Sequence, residues 1–326
     1  MTALYPLKFK TIFKDKIWGG EKIKTVLNKD FSPLKNCGET WEISGVKGNV
    51  SVVAEGDLAG RALTDLIKEY KQDLVGKKVY ESSGDEFPLL VKFIDANEDL
   101  SIQVHPDDAL AQSRHQSLGK TEMWYIIQAD EGAKLITGFN QEVNKEVYLK
   151  HLEAGTLNEI LNQEQVKADD VFYIPAGRVH TIGKGLLLAE IQQSSDITYR
   201  IYDFDRVDDE GQKRELHTEE ALDAIDYKYY DSYKTDYSPE HNKAVQLVES
   251  TYFKTNVLNF NETLERNYQE LDSFVILVCL SGEGTLQYGA VQISLKSGDS
   301  VLVPASLKTV VLTPVSDCKI LESFVP

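Results

Sequence analysis

Two stretches of the chain carry one pattern. KADDVFYIPAGRVHTI, starting at Lys167, aligns without a gap on KSGDSVLVPASLKTVV, starting at Lys296, with Lys, Asp, Pro and Ala in register. Upstream of each lies an apolar run followed by a glycine-containing turn, WYIIQADEGAKLITGF from Trp124 and FVILVCLSGEGTLQYG from Phe274. The same order of strand and turn at both places is what two copies of one β-unit require. Between these landmarks the first copy is about twenty residues longer. That excess is the size of a stretch at 144–161 whose apolar residues recur three or four apart, the spacing of a helix. The pattern predicts two related β-barrels, the first with a helical insertion.

The rest of the chain agrees with this. Short apolar runs bounded by Gly, Pro, Asp or Asn occur at 89–94, 123–127, 171–174, 186–191, 274–280 and 301–303, and read as strands of a sandwich or barrel. Helical spacing is limited to 61–73, 144–161 and 215–225, with a short polar helical segment at 107–116. A length of 326 residues suits about two such units. The expected division is a unit over 1–245, with helical insertions at about 141–163 and 215–226, and a second over 246–326.

With 35 basic against 52 acidic side chains, a net charge of -17 repels phosphate backbones and anionic lipid heads. Nucleic acid and membrane are therefore excluded as expected partners. An anionic substrate would have to be met by cations gathered locally against this field. The N-terminal MTALYPLKFKTIFKDKIWGG lacks the apolar core of a signal peptide, and no segment reaches the roughly 20 apolar residues of a membrane span, so a cytoplasmic protein is expected. Cys37, Cys279 and Cys318 are widely spaced and odd in number, which fits small buried side chains rather than a disulfide framework or a thiolate zinc site.

The chemistry concentrates in the first copy. Gln103 and His105, in SIQVHPDD, have one residue between them and so share a face of a strand. Glu122 opens the next strand and His180 closes IPAGRVH, and a barrel brings such positions to one interior point. Two imidazoles, a carboxylate and an amide oxygen suit a borderline divalent cation, zinc first, with iron, manganese or cobalt compatible. In the second copy Thr309 stands where His180 does, and no H-x-H or Q-x-H precedes Phe274, so that barrel is expected to be metal-free. His115, His151, His217 and His241 lack partners at useful spacing and read as surface or structural.

The segments LLVKFIDANEDLSIQVHPDD, GKTEMWYII and PAGRVHTIGKGLLLAEIQQSSDITYRIYDFDR resemble the central blocks of the type I mannose-6-phosphate isomerases. GGEKI after Trp18, GETWEISG from Gly38 and RELHTEEALDAIDY from Arg214 are similar to further blocks of the short bacterial members. Q-x-H-P-D-D and S-D-x-T-Y-R-x-Y-D are the discriminating motifs; P-A-G-x-x-H alone is common to many cupins. The resemblance implies a mainly β bicupin of two jelly-roll barrels with short helical insertions. It implies reversible conversion of mannose 6-phosphate to fructose 6-phosphate, with Gln103, His105, Glu122 and His180 as metal ligands and Arg200 in the place of the catalytic arginine. Thr121 departs from the proline that many longer members carry before the glutamate, without touching a ligand.

Such a reaction passes through an enediol, so charge developing on O1 or O2 has to be stabilised and a proton moved between C1 and C2. Lys120, two residues before Glu122, and Glu190, in the segment after His180, are the candidates for the base. Lys92, before the Q-x-H pair, is a candidate for phosphate binding together with Lys120, each as a point charge. A small sugar phosphate is the expected partner, and the protein a monomer or weak homo-oligomer. The competing readings are an iron-dependent cupin oxygenase and a non-catalytic sugar-binding cupin, the latter having no need of Arg200, Lys120 or Glu190 near the metal.

Overall fold

The structure, a computed structural model, describes residues 2–207 and 210–326. It is mainly β, with four antiparallel sheets. A six-stranded sheet runs Ile12–Lys14, Glu39–Ile43, Leu89–Ala96, Leu186–Gln193, Glu122–Ala129, Val171–Ile174, and a five-stranded sheet runs Tyr199–Tyr202, Ile102–Val104, His180–Ile182, Lys134–Phe139, Leu161–Gln165. The C-terminal part supplies a second six-stranded sheet, Leu7–Lys8, Ser300–Val303, Val275–Ser281, Cys318–Phe324, Lys254–Phe260, Lys243–Glu249, and a four-stranded one, Leu264–Asn267, Thr309–Pro314, Glu283–Tyr288, Val291–Lys296. This second six-stranded sheet takes in two segments from outside 246–326: the edge strand that starts at Lys243, and Leu7–Lys8 from the opposite end of the chain.

Why the central strands read as unbroken apolar runs follows from their two faces. In Val275–Ser281, Ile276 and Val278 join one apolar cluster while Val275, Leu277 and Cys279 join another. The first cluster also holds Leu89, Val91, Phe93, Tyr125, Leu187 and Ala189, so the two six-stranded sheets share one core between them. The alternate residues on the first sheet, Lys92, Ile94, Glu122, Trp124, Leu188 and Glu190, turn to the other side, as a period of two demands. All three cysteines are buried and free. No helix among the described residues is long and apolar enough to cross a membrane.

The internal repeat is a repeat of hydrogen bonds. Asp170 Oδ2 accepts from the Lys167 N–H at 2.9 Å, and Asp299 Oδ2 from the Lys296 N–H at 3.0 Å. The residues before them, Asp169 and Gly298, have φ of 71° and 89°, a left-handed turn that glycine enters freely and aspartate tolerates. Lys234 and Lys8 each pair with the turn aspartate at 2.8 Å.

Strand register extends the match. Val171 opposes Tyr125 as Ser300 opposes Val278, so Trp124 corresponds to Leu277. Trp124 opposes Glu190 and Leu277 opposes Glu322; Glu190 opposes Lys92 and Glu322 opposes Asn256. Glu322 therefore occupies the place of Glu190. Its carboxylate is 1% exposed and takes Arg266 Nε and Nη2 at 2.8 and 2.9 Å, Tyr268 OH at 2.8 Å and Asn256 Nδ2 at 3.0 Å. Glu322→Ala is expected to cost about 3 kcal/mol, the lower end for breaking a buried ion pair because Arg266 keeps some solvent. Urea unfolding of the variant measures it.

Helices depart from the sequence reading in detail. The one expected over 61–73 runs Leu63–Tyr70 and breaks at Lys71, whose φ is 49°. Gln72–Val75 and Lys77–Ser83 follow it, too short for periodicity to show. The insertion at 144–161 is Lys145–Glu153, capped by Asn144, and already turns to strand at Leu161. The other two expected ones are Asp108–His115 and Thr218–Ala224, and Lys22–Thr25 is a further single turn.

Candidate metal centre and cleft

Gln103 and His180 oppose each other across Ile102–Val104 and His180–Ile182, and His105 lies just beyond the first of these strands. Glu122 comes from a different sheet, as the first residue of Glu122–Ala129. His105 Nε2 lies 3.5 Å from Glu122 Oε2 and His180 Nε2 lies 3.4 Å from Glu122 Oε1, with the ring centroids 4.7 Å apart. Each imidazole is aimed from behind. His105 Nδ1–H donates to the Ile197 carbonyl at 2.9 Å and His180 Nδ1–H to the Arg178 carbonyl at 2.8 Å, so both Nε2 lone pairs face the carboxylate.

All three side chains are at most 1% exposed; His105 Nε2 and Glu122 Oε1 have no hydrogen-bond partner, and Glu122 Oε2 has only the Lys120 ammonium, at 3.3 Å. Buried acceptors facing one another repel unless something positive lies between them. Burial holds His105 well below its ordinary pKa and brings His180 down to about 3, so both rings are neutral, the form that ligates a metal. Burial, and next the nearby Glu190, push the Glu122 carboxyl upward against the pull of Lys120 and Lys92. This donor set fits a divalent cation. Gln103 lies beside it, its Nε2 donating to His180 Nε2 at 3.2 Å and its Oε1 accepting from Ser101 Oγ at 3.3 Å.

Gln103 and Lys120 also line an open cleft, in which Lys16, Lys92, Lys120, Arg200 and Arg214 meet three carboxylates, Glu39, Glu190 and Asp196. Five cations against three anions is a local reversal of the protein's charge. Lys120 lies in the turn before Glu122–Ala129 rather than on the strand, because pairing with the neighbouring strand Val171–Ile174 starts at Glu122, yet its Nζ comes within 3.3 Å of Glu122 Oε2.

Lys92 is enclosed. Its Nζ lies 3.1 Å from Glu190 Oε1, 3.9 Å from Glu39 Oε2 and 5.2 Å from the centre of the Trp41 ring. Burial lowers its proton affinity, but Glu190 and Glu39 outweigh this and hold it above the ordinary lysine range. The reverse holds for Glu39: burial raises it, and Lys92, Lys16 and the Trp41 N–H together bring it down to about 2. Glu190 is likewise held low by Lys92 and Lys120 against burial, and accepts from Trp124 Nε1 at 2.9 Å. Glu39, Trp41, Trp124, Lys16 and Arg214 were not singled out by the sequence reading. The signal that marks Glu39 and Glu190 is an acidic residue on the inner side of a strand that is otherwise buried.

Arg200 has no carboxylate within ion-pair distance among the described residues. Asp203 is taken by Arg206 and Arg214, and Asp205 by Lys213. Arg200 Nη1 donates to the Glu215 carbonyl at 2.7 Å, its N–H donates to His217 Nδ1 at 3.2 Å, and the His217 N–H returns to the Arg200 carbonyl at 2.7 Å. His217 is thus structural. Positions of the C-terminal part that correspond to Gln103, Glu122 and His180 by register are Asn267, Val275 and Thr309, none of them a carboxylate or an imidazole.

Comparison with known proteins points one way. A profile for "Phosphomannose isomerase type I, catalytic domain" matches residues 6–142, and one for "Mannose-6-phosphate isomerase, cupin domain" matches residues 243–325. The mannose-6-phosphate isomerase of Streptococcus mutans is 38% identical over 93% of this chain and 94% of its own. Mannose-6-phosphate isomerase ManA of Bacillus subtilis is 37% identical over 96% of this chain and 97% of its own. The crystal structure of the mannose 6-phosphate isomerase from Bacillus subtilis superimposes with a TM-score of 0.88 at 35% identity, covering 98% of this chain and 99% of that one. With relatives this similar matched from end to end, the chain belongs to the type I phosphomannose isomerase family.

Proposed function

We propose that the protein interconverts mannose 6-phosphate and fructose 6-phosphate through an enediol, using zinc or another divalent cation held by Gln103, His105, Glu122 and His180. The observation that carries this reading is the pair of neutral imidazoles facing the Glu122 carboxylate, all buried, with His105 Nε2 and Glu122 Oε1 lacking a hydrogen-bond partner, beside a cleft in which cations outnumber acids. A divalent cation bound there supplies a Lewis acid for the oxygens on C1 and C2. Lys120 or Glu190 is the base that moves the proton between C1 and C2; Glu190 is fixed as a carboxylate by Lys92 and Trp124. Arg200, lacking an anionic partner, is free to face a developing oxyanion or a hydroxyl. Lys120, held beside Glu122 at the end of the cleft where C1 and C2 would react, acts on the 6-phosphate through its field rather than by contact. Lys92, already shared between Glu190 and Glu39, contributes through its field.

In the same reading the chain is a bicupin of two jelly-roll units, 1–245 with the catalytic site and 246–326 without a metal, with the strands at Leu7 and Lys243 lent to the second. It acts in the cytoplasm as a monomer or weak homo-oligomer. The test is turnover of mannose 6-phosphate by purified protein before and after chelation, with zinc, manganese and cobalt added back. Chelation is expected to lower the rate by at least about 100-fold, as loss of a Lewis acid worth several kcal/mol requires, and one metal to restore it. Absence of turnover with every metal, or full activity after chelation, would reject the proposal.

A further inference from the structure

A hydrogen-bonded chain links the C-terminal part, 246–326, to the segment that carries Lys120 and Glu122. The turn at 250–253 joins Lys243–Glu249 to Lys254–Phe260, and Tyr252 leaves it to meet the rest of the chain, its OH donating to Asp108 Oδ2 at 2.8 Å. Asp108 Oδ1 accepts from the Gly119 N–H at 2.8 Å and from Gln193 Nε2 at 2.9 Å. Gln193 in turn grips Thr121 on both sides, with Oε1 accepting from the Thr121 N–H at 2.9 Å and its own N–H donating to the Thr121 carbonyl at 3.0 Å. Lys120 lies between the two residues so held, and Glu122 follows directly.

We propose that Tyr252 is a positioning residue for Lys120 and Glu122, acting through Asp108 and Gln193, so that the C-terminal part, 246–326, sets the placement of groups in a site to which it contributes no ligand. Each link constrains the next. Asp108 is an acceptor for three donors, and without the tyrosine its carboxylate loses the one that fixes Oδ2 and is free to rotate. The carboxylate is held below the usual range: burial raises it, while Tyr252, Gly119 and Gln193 together pull it down, so an ionised acceptor stands at the centre of the network. The part assigned to Lys120 rests on the proposed isomerase function; the part assigned to Glu122 rests only on its place in the metal centre.

Tyr252→Phe deletes one hydroxyl and leaves the ring. In the zinc-loaded full chain it is expected to lower kcat for mannose 6-phosphate about tenfold, with KM within about twofold and the unfolding midpoint little changed. Zinc binding, titrated against a chromophoric chelator, is expected to weaken several-fold. Asp108→Asn, which keeps the tyrosine, should reproduce both losses, and the double variant should be no worse than either single one. Parental kcat and zinc affinity in Tyr252→Phe, or independent multiplication of the two losses, would overturn the proposal. Should the parent protein fail to turn over mannose 6-phosphate, the functional reading falls, and the zinc titration still decides whether Tyr252 positions Glu122.

Discussion

Replacing His180 by alanine is expected to lower turnover of mannose 6-phosphate at least about 1,000-fold and to leave the protein folded. His180 supplies one of the two neutral Nε2 donors facing Glu122, and nothing nearby substitutes for it: Gln103 is the neighbouring side chain, and its amide already contacts Ser101. Loss of a ligand removes an electrophile worth several kcal/mol, and about 4 kcal/mol corresponds to the stated factor. The structural cost is smaller, roughly 1 kcal/mol for the hydrogen bond to the Arg178 carbonyl. Turnover at saturating zinc, with bound metal quantified on the same sample, tests this; activity close to that of the parent would remove His180 from the ligand set.

Arg200→Met is expected to reduce kcat about 100- to 1,000-fold, the range seen when one preorganised donor to a developing oxyanion is removed. Bound metal should stay at the parental level, which separates this loss from that of His180→Ala. Arg200→Lys should recover little, because the planar guanidinium is held through Nη1 on the Glu215 carbonyl and an ammonium cannot keep that anchor and reach the cleft with a second donor. Within a few-fold of parental kcat in Arg200→Met, the arginine would be a structural tie between Tyr199–Tyr202 and the 215–217 segment.

The cluster of His105, Glu122 and His180 was legible because an imidazole or carboxylate in an apolar strand stands out, and the period of two that sets Gln103 beside it is a local rule, whatever the barrel does. The repeat was legible for a similar reason, since a left-handed turn followed by an aspartate leaves a trace in composition, as at Asp169-Asp170 and Gly298-Asp299. What escaped depends on neighbours far apart in the chain. The row Lys16, Glu39, Lys92, Glu190 exists only once Glu39–Ile43, Leu89–Ala96 and Leu186–Gln193 lie side by side. Glu322 reads as one acidic residue near the end of the chain until strand register sets it on the position of Glu190. The short helices after Lys71 carry too few turns for an apolar stripe to declare itself.

Leu7–Lys8 closes the edge of a sheet whose other members all come from 243–324, pairing with Leu302 and Val301, and Lys8 reaches Asp299 across 291 residues of chain. On a ribosome adding about 5–20 residues per second, the first strand is made roughly 15–60 s before its partner exists. Through that interval the segment has only its nearer neighbours, the Lys8 carbonyl accepting from the Ala54 N–H at 2.9 Å and the Lys10 N–H donating to the Val52 carbonyl at 2.8 Å, while its other edge waits for strands that come much later in the chain. The order in which the protein is made is therefore not the order in which it is sealed: the edge at Leu7–Lys8 is closed only once residues 301–302 exist.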